Sequence, residues 1–152
     1  MCNQCNYSEL LENAQLEATQ NRLRILAIIG GNGYPLSAAD IITTLQRETE
    51  INRVTVYRIL DLLAAHGLVE RLSSGSRAFY YGMAPNAYHP AHPHFYCKSC
   101  GQMECLEARS LTVDASGLQE TFAGQIDKLE IRVDGVCKNC LRLKAFQYKK
   151  RH

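Results

Sequence analysis

Two Cys-x-x-Cys pairs constrain this chain more than any other feature. Cys97-Lys98-Ser99-Cys100 and Cys137-Lys138-Asn139-Cys140 are separated by 36 residues. Four thiolates on two such knuckles close a tetrahedral zinc site with no open position. A closed site of that kind is structural, and its binding free energy is folding free energy. The gap is longer than a simple zinc ribbon needs, so folded structure must lie inside it. Its residue types predict a helix around Asp114–Gly124 and a strand around Lys128–Val133. A redox couple is the competing use of a CxxC, but neither pair sits in a βαβ pattern. The third pair, Cys2 and Cys5, lies at a terminus, where a site is rarely built alone.

The seven cysteines acquire meaning from the rest of the composition. The chain has 152 residues, of which 46% are hydrophobic and 21% charged, as in a folded protein rather than a disordered one. It lacks an apolar run of membrane-spanning length and a signal-like N-terminus, which predicts a cytoplasmic protein. Disulfides are rare in that reducing setting, so cysteine pairs there point to metal.

A second metal-ligand cluster precedes and overlaps the first. His89, His92 and His94 fall within six residues, and Cys105 follows Cys100 by five. In an extended chain, His92 and His94 point to the same side. Two imidazoles and a thiolate suit zinc better than hard-oxygen metals. Glu70 is the candidate carboxylate from the other half of the chain.

Residues 8–72 read as helices, and three of the four prolines fall within 82–94. Proline fixes φ and donates no hydrogen bond, so a hinge is placed there. Ser8 is expected to cap a helix running to about Ala18. Thr19, Ser37 and Asn52 are expected to cap three more. Two β-prone runs joined by Ser73-Ser74-Gly75-Ser76 then predict a hairpin. Helices followed by a hairpin are the order of a winged helix-turn-helix. On the fourth helix, Arg53, Val54, Tyr57 and Arg58 share a face about 140° wide, opposite Val56, Ile59, Leu60, Leu62 and Leu63. Arginine can grip guanine or phosphate, and valine can touch a thymine methyl, so this face suits the DNA major groove. Arg22 and Arg77 are candidate phosphate contacts. Charge sets a condition on that reading. Residues 1–82 hold seven Arg, no Lys and eight acidic residues, a net of −1, whereas residues 83–152 carry a net of +3. A DNA-binding half without net positive charge needs a dimer and a locally basic face.

Together these pieces resemble the ferric uptake regulator family of metal-dependent repressors. Thr19-Gln-Asn-Arg22 resembles its TxxR. Leu36–Ile41 resembles its third-helix entry. Thr55–Leu60 followed by His66–Val69 resembles its recognition helix and wing. The two CxxC pairs resemble its structural zinc site. The resemblance implies an α+β protein: a winged helix over 1–82, a hinge with metal ligands over 83–94, and a small α/β dimerisation domain over 95–152. It implies a homodimer repressing from an AT-rich inverted repeat of double-stranded DNA, with Tyr57 and Arg58 as DNA contacts, and no enzymatic activity; Thr55 is a further candidate DNA contact.

Which metal is sensed follows from departures within the resemblance. Iron and peroxide sensors carry a histidine before the third helix, where this chain reads Tyr34-Pro35-Leu36. Their acidic ligand after the CxxC aligns with Cys105. The family's accessory site falls on Ala91, Pro93, Thr112 and Leu129, which are not ligands. Glu70 and the HPxHPH string resemble the zinc-uptake branch, although that branch's wing cysteine is replaced by Tyr81-Gly82-Met83. The expected regulatory set is Glu70, His92, His94 and Cys105, with His89 as the alternative to Glu70. Zinc there would favour the DNA-competent form and repress zinc importers. Iron(II), manganese or peroxide sensing is the alternative within the family. A zinc enzyme is the alternative outside it, and no HExxH or HxE with PCxxC supports it.

Overall fold

Short polar side chains start the N-terminal helices of the computed structural model, which describes residues 5–151. Asn6 caps α1 (Tyr7–Asn13), Thr19 caps α2 (Gln20–Gly31), Ser37 caps α3 (Ala38–Gln46) and Asn52 caps α4 (Arg53–Ala65). Each side-chain oxygen accepts the N–H three residues ahead, at 3.2, 3.4, 3.1 and 2.8 Å. These donors have no partner within their own helix. Ser37 also donates to the Asp40 carboxylate at 2.8 Å, closing a capping-box variant. The first helix departs from expectation. Asn6 takes the cap that Ser8 was expected to supply, and the Ser8 hydroxyl reaches the Glu12 carboxylate at 3.5 Å. The helix stops at Asn13 rather than near Ala18, because Gln15 turns the chain at φ 59°.

After α4, Gly67 reverses the chain at φ 70°, a conformation that costs other residues more. The chain then enters β2 (Val69–Ser73) and β3 (Phe79–Met83), an antiparallel hairpin. The two-residue β1 (Leu36–Ser37) adds to the far side of β3, giving the order β1-β3-β2. Beneath the sheet, Ile25, Leu26, Ile41, Leu45, Val56, Leu60 and Leu63 are fully buried in one core, with Tyr81 and Met83 against them.

The second sheet is built differently. β4 (His94–Cys97) lies between β5 (Met103–Cys105), antiparallel, and β6 (Arg132–Gly135), parallel. The parallel ladder pairs His94 with Arg132 and Cys97 with Gly135, so the last strand lies later than the expected 128–133. The helix expected over 114–124 shrinks to α5 (Ser116–Thr121), because Asp114 Oδ1 accepts the Ser116 N–H at 3.0 Å and holds the preceding residues in a turn. α6 (Lys138–Arg151) ends the described chain. By compactness the chain divides into Met1–Ala91 and His92–His152, inside the proline-rich stretch. Within that stretch β3 extends to Met83, Asn86 bridges to His89, and β4 begins at His94. Among the described residues, no helix is long and apolar enough to cross a membrane.

Candidate functional site

The parallel β4–β6 ladder brings the two CxxC pairs together. Cys97 ends β4 beside Gly135, and the Lys98 N–H donates to the Gly135 carbonyl at 2.8 Å. Two residues beyond Gly135 comes Cys137, whose own N–H donates to Cys97 Sγ at 3.3 Å. Gly101, at φ 75°, closes the first knuckle through a 2.8 Å bond from its N–H to the Cys97 carbonyl. The sulfurs of Cys97, Cys100, Cys137 and Cys140 all lie within 4.8 Å of one another. Cys97 with Cys140 and Cys100 with Cys137 are each 3.9 Å apart.

Electrostatics in the cluster favour a cation. The Cys137 N–H holds the Cys97 thiol down at about 6. The neighbouring thiol of Cys137, together with lost hydration, pushes Cys140 up to about 12. One thiolate therefore forms readily and the last resists forming. A cation among them removes that opposition, since thiolates are the ligands metals take. The donor set is all sulfur, which fits zinc.

The β4–β5 register forms the second group. His94 stands directly opposite Cys105, and His92 precedes β4 on the same side. The ligand atoms of His92, His94 and Cys105 lie within 4.8 Å of one another. The two imidazole centroids are 4.7 Å apart and tilted by 54°. His94 is buried, His92 half-buried and Cys105 exposed, so the group opens to solvent through its sulfur. Glu70 and His89 are the other two expected ligands. Glu70 sits on β2 opposite Gly82, and His89 pairs with Asn86, both within Met1–Ala91. Cys2 lies outside the described residues.

On α4 the angular reading reproduces the burial. Val56, Leu60 and Leu63 are buried, and Ile59 and Leu62 half-buried. Arg53, Val54, Tyr57 and Arg58 are exposed, Val54 by 58% and Tyr57 by 44%. Thr55 is half-buried at the capped first turn. Arg77 is exposed in the hairpin turn and, with Tyr57, Ser37 and Phe79, lines a cavity of about 190 Å³. Arg22 is half-buried, and its guanidinium donates to the Glu17 carbonyl at 2.8 Å. Sequence reasoning missed Arg71. Its guanidinium stacks 4.7 Å over the Phe79 ring and lies 3.7 Å from the Asp61 carboxylate, joining the hairpin to α4. Alternation along β2 shows that Arg71 faces outward but not what it meets.

Residues 13–134 match the Ferric uptake regulator family. The transcriptional regulator FurA of Mycobacterium tuberculosis is 31% identical over 141 residues, covering 89% of this chain and 90% of the relative. The solved structure of the ferric uptake regulator Fur of Helicobacter pylori has the same fold, with a TM-score of 0.69 at 17% identity over 93% of this chain and 97% of that one. A zinc uptake regulator complexed with zinc and DNA gives a TM-score of 0.61 at 24% identity, over 93% of this chain and 99% of that one.

Proposed function

This chain belongs to the ferric uptake regulator family and is a metal-responsive transcriptional regulator, and we propose that it senses zinc and represses zinc-uptake genes as a cytoplasmic homodimer. The observation that carries the choice of zinc is the sulfur of Cys105 beside the imidazoles of His92 and His94. A nitrogen-and-sulfur donor set suits zinc, whereas oxygen ligands suit magnesium and manganese. The zinc uptake regulator that shares this fold, and was solved with zinc and DNA, supports the same choice.

In this reading residues 1–82 contact DNA, 83–94 supply hinge ligands and 95–152 dimerise. Cys97, Cys100, Cys137 and Cys140 hold a structural zinc. His92, His94 and Cys105 hold the regulatory one, and Glu70 or His89 is the proposed fourth ligand. Bound there, zinc would supply a divalent positive centre that fixes its ligands in one geometry. A ligand shifts an equilibrium only through unequal affinity for its states, and the coupling is reciprocal. A ligand set that is complete only in the DNA-competent form therefore raises DNA affinity as it captures metal. Arg53, Val54, Thr55, Tyr57 and Arg58 read the major groove of an AT-rich inverted repeat, while Arg22 and Arg77 hold phosphates. Dimerisation is supported by Leu111, Val113, Phe122, Leu129 and Val133, which stay exposed on a unit with few buried apolar side chains. Its buried apolar residues are Cys97, Met103 and Cys137.

Iron(II) or manganese is the second reading, and the match to the Ferric uptake regulator family supports iron. Selection from random duplexes decides between them. The protein is presented with buffered zinc, with iron(II), with manganese and with chelator. An inverted repeat enriched by zinc and lost with chelator is expected. Enrichment by iron(II) or manganese alone would replace zinc, and no enrichment under any metal would overturn the repressor.

A further inference from the structure

The charge of this chain lies in the wrong place for a protein that holds DNA only through its N-terminal unit. Residues 1–82 are net −1, with seven cations against eight acidic residues. The 14 residues of α6 contain six Lys and Arg and no Asp or Glu. They also lie beyond the residues that match the family, which end at 134.

Three of the six cations of α6 share one face. At 100° per residue, Lys138, Arg142 and Lys149 fall within about 40° of one another. All three are exposed, and among the described residues no acidic side chain forms an ion pair with them. At 1.5 Å per residue the stripe is about 16 Å long. That length matches about five successive phosphates on one strand of a duplex. Leu141, Ala145 and Tyr148 share the neighbouring face, so the basic line borders an apolar one. Lys138 and Arg142 are one turn apart, where like charges oppose the helix. With no acidic residue on the helix to relieve it, a polyanion alongside would. The charge complementarity favours a nucleic-acid backbone, the polyanion that a DNA-binding regulator already meets.

We propose that the Lys138–Arg142–Lys149 stripe of α6 is a second, sequence-independent DNA contact that follows the phosphate backbone. It adds counterion-release affinity to that of the N-terminal unit, while α4 supplies sequence selection. This inference rests on the DNA-binding reading above but not on the identity of the sensed metal.

The test measures affinity against salt for the zinc-loaded protein on a random-sequence duplex and on the selected repeat. The variant is Arg142→Gln with Lys149→Gln, and zinc content and hydrodynamic mass confirm its integrity. Each lost phosphate contact should reduce the slope of log affinity against log salt by about 0.9, so about 1.8 for each chain engaged. Between 50 and 200 mM salt this compresses the affinity change by about 12-fold per chain. Preference for the repeat over the random duplex should stay unchanged. Arg142→Lys with Lys149→Arg should keep the full slope, which separates charge from folding. An unchanged slope in the glutamine variant overturns the contact, as does a loss that is uniform across salt. Phosphatidylserine vesicles serve as a further probe: charge-dependent binding to them, with the DNA slope unmoved, assigns the stripe to a membrane surface and also overturns it. Absence of any DNA binding by the wild-type protein would overturn both this contact and the repressor reading.

Discussion

Replacing Asn52 with alanine isolates the first turn of α4, which carries Arg53, Val54 and Thr55. Asn52 Oδ1 accepts the Thr55 N–H at 2.8 Å, and removing a cap of this type costs about 0.5–2 kcal/mol. The bond is exposed, so water can replace the lost acceptor, which places the cost at about 1 kcal/mol or below. The rest of the helix is anchored by Val56, Leu60 and Leu63, each fully buried. The loss should therefore fray residues 53–55 rather than detach the helix. For a domain of this size, about 1 kcal/mol lowers Tm by about 4–8 °C. If fraying removes the DNA-competent first turn, the same energy weakens operator binding by about fivefold. Asn52→Ser restores an equivalent cap and should restore both. Thermal unfolding and operator titration are run on all three proteins with the metal sites loaded. Equal losses in the alanine and serine variants would refute the capping argument, because then the asparagine side chain acts by something other than its acceptor.

Three further outcomes follow from the same geometry. Leu60→Ala, at a fully buried position, should cost about 2–5 kcal/mol in urea unfolding, and a cost below about 1 kcal/mol would mean that the core closes over the cavity. Alanine at both His92 and His94 should abolish zinc-dependent operator binding while one zinc per chain stays bound by the four cysteines; unchanged binding would remove this group from regulation. In reduced, metal-free protein the Cys97 thiol sits at about 6 against an ordinary value of 9.0, so its contribution to stability is full above pH 9 and is lost as pH falls toward 6. Cys140, raised to about 12, acts in the opposite sense, favouring the folded state below pH 9 and losing that effect as pH rises toward 12. The Tm difference between wild type and Cys97→Ser should therefore grow from pH 6 to 9, and a flat difference would refute the assigned N–H contact.

Much of this chain is legible wherever a few neighbouring residues decide the outcome. Thr19, Ser37 and Asn52 cap helices because their oxygens reach an N–H only three residues away. The hairpin follows from two β-prone runs around Gly75, and the buried face of α4 follows from the 100° step. The same local reasoning misplaced the ends of α1, where Asn6 and Ser8 are comparable caps and the turn at Gln15 leaves no pattern to read. The two metal-ligand groups are intermediate. Residue type and spacing identified Cys97, Cys100, Cys137, Cys140, His92, His94 and Cys105, but their convergence depends on strand register. A parallel pairing of β4 with β6 places Cys137 beside Cys97, and an antiparallel pairing with β5 places Cys105 opposite His94. A slip of one residue would turn every side chain of the strand to the other face. The stacking of Arg71 on Phe79 and its approach to Asp61 likewise come from elements meeting in space. Sequence alone determined the local starts, stops and donor chemistry, because those forces act within one turn or one knuckle. The tertiary structure decided which donors meet, because hydrogen-bond ladders between distant segments set that.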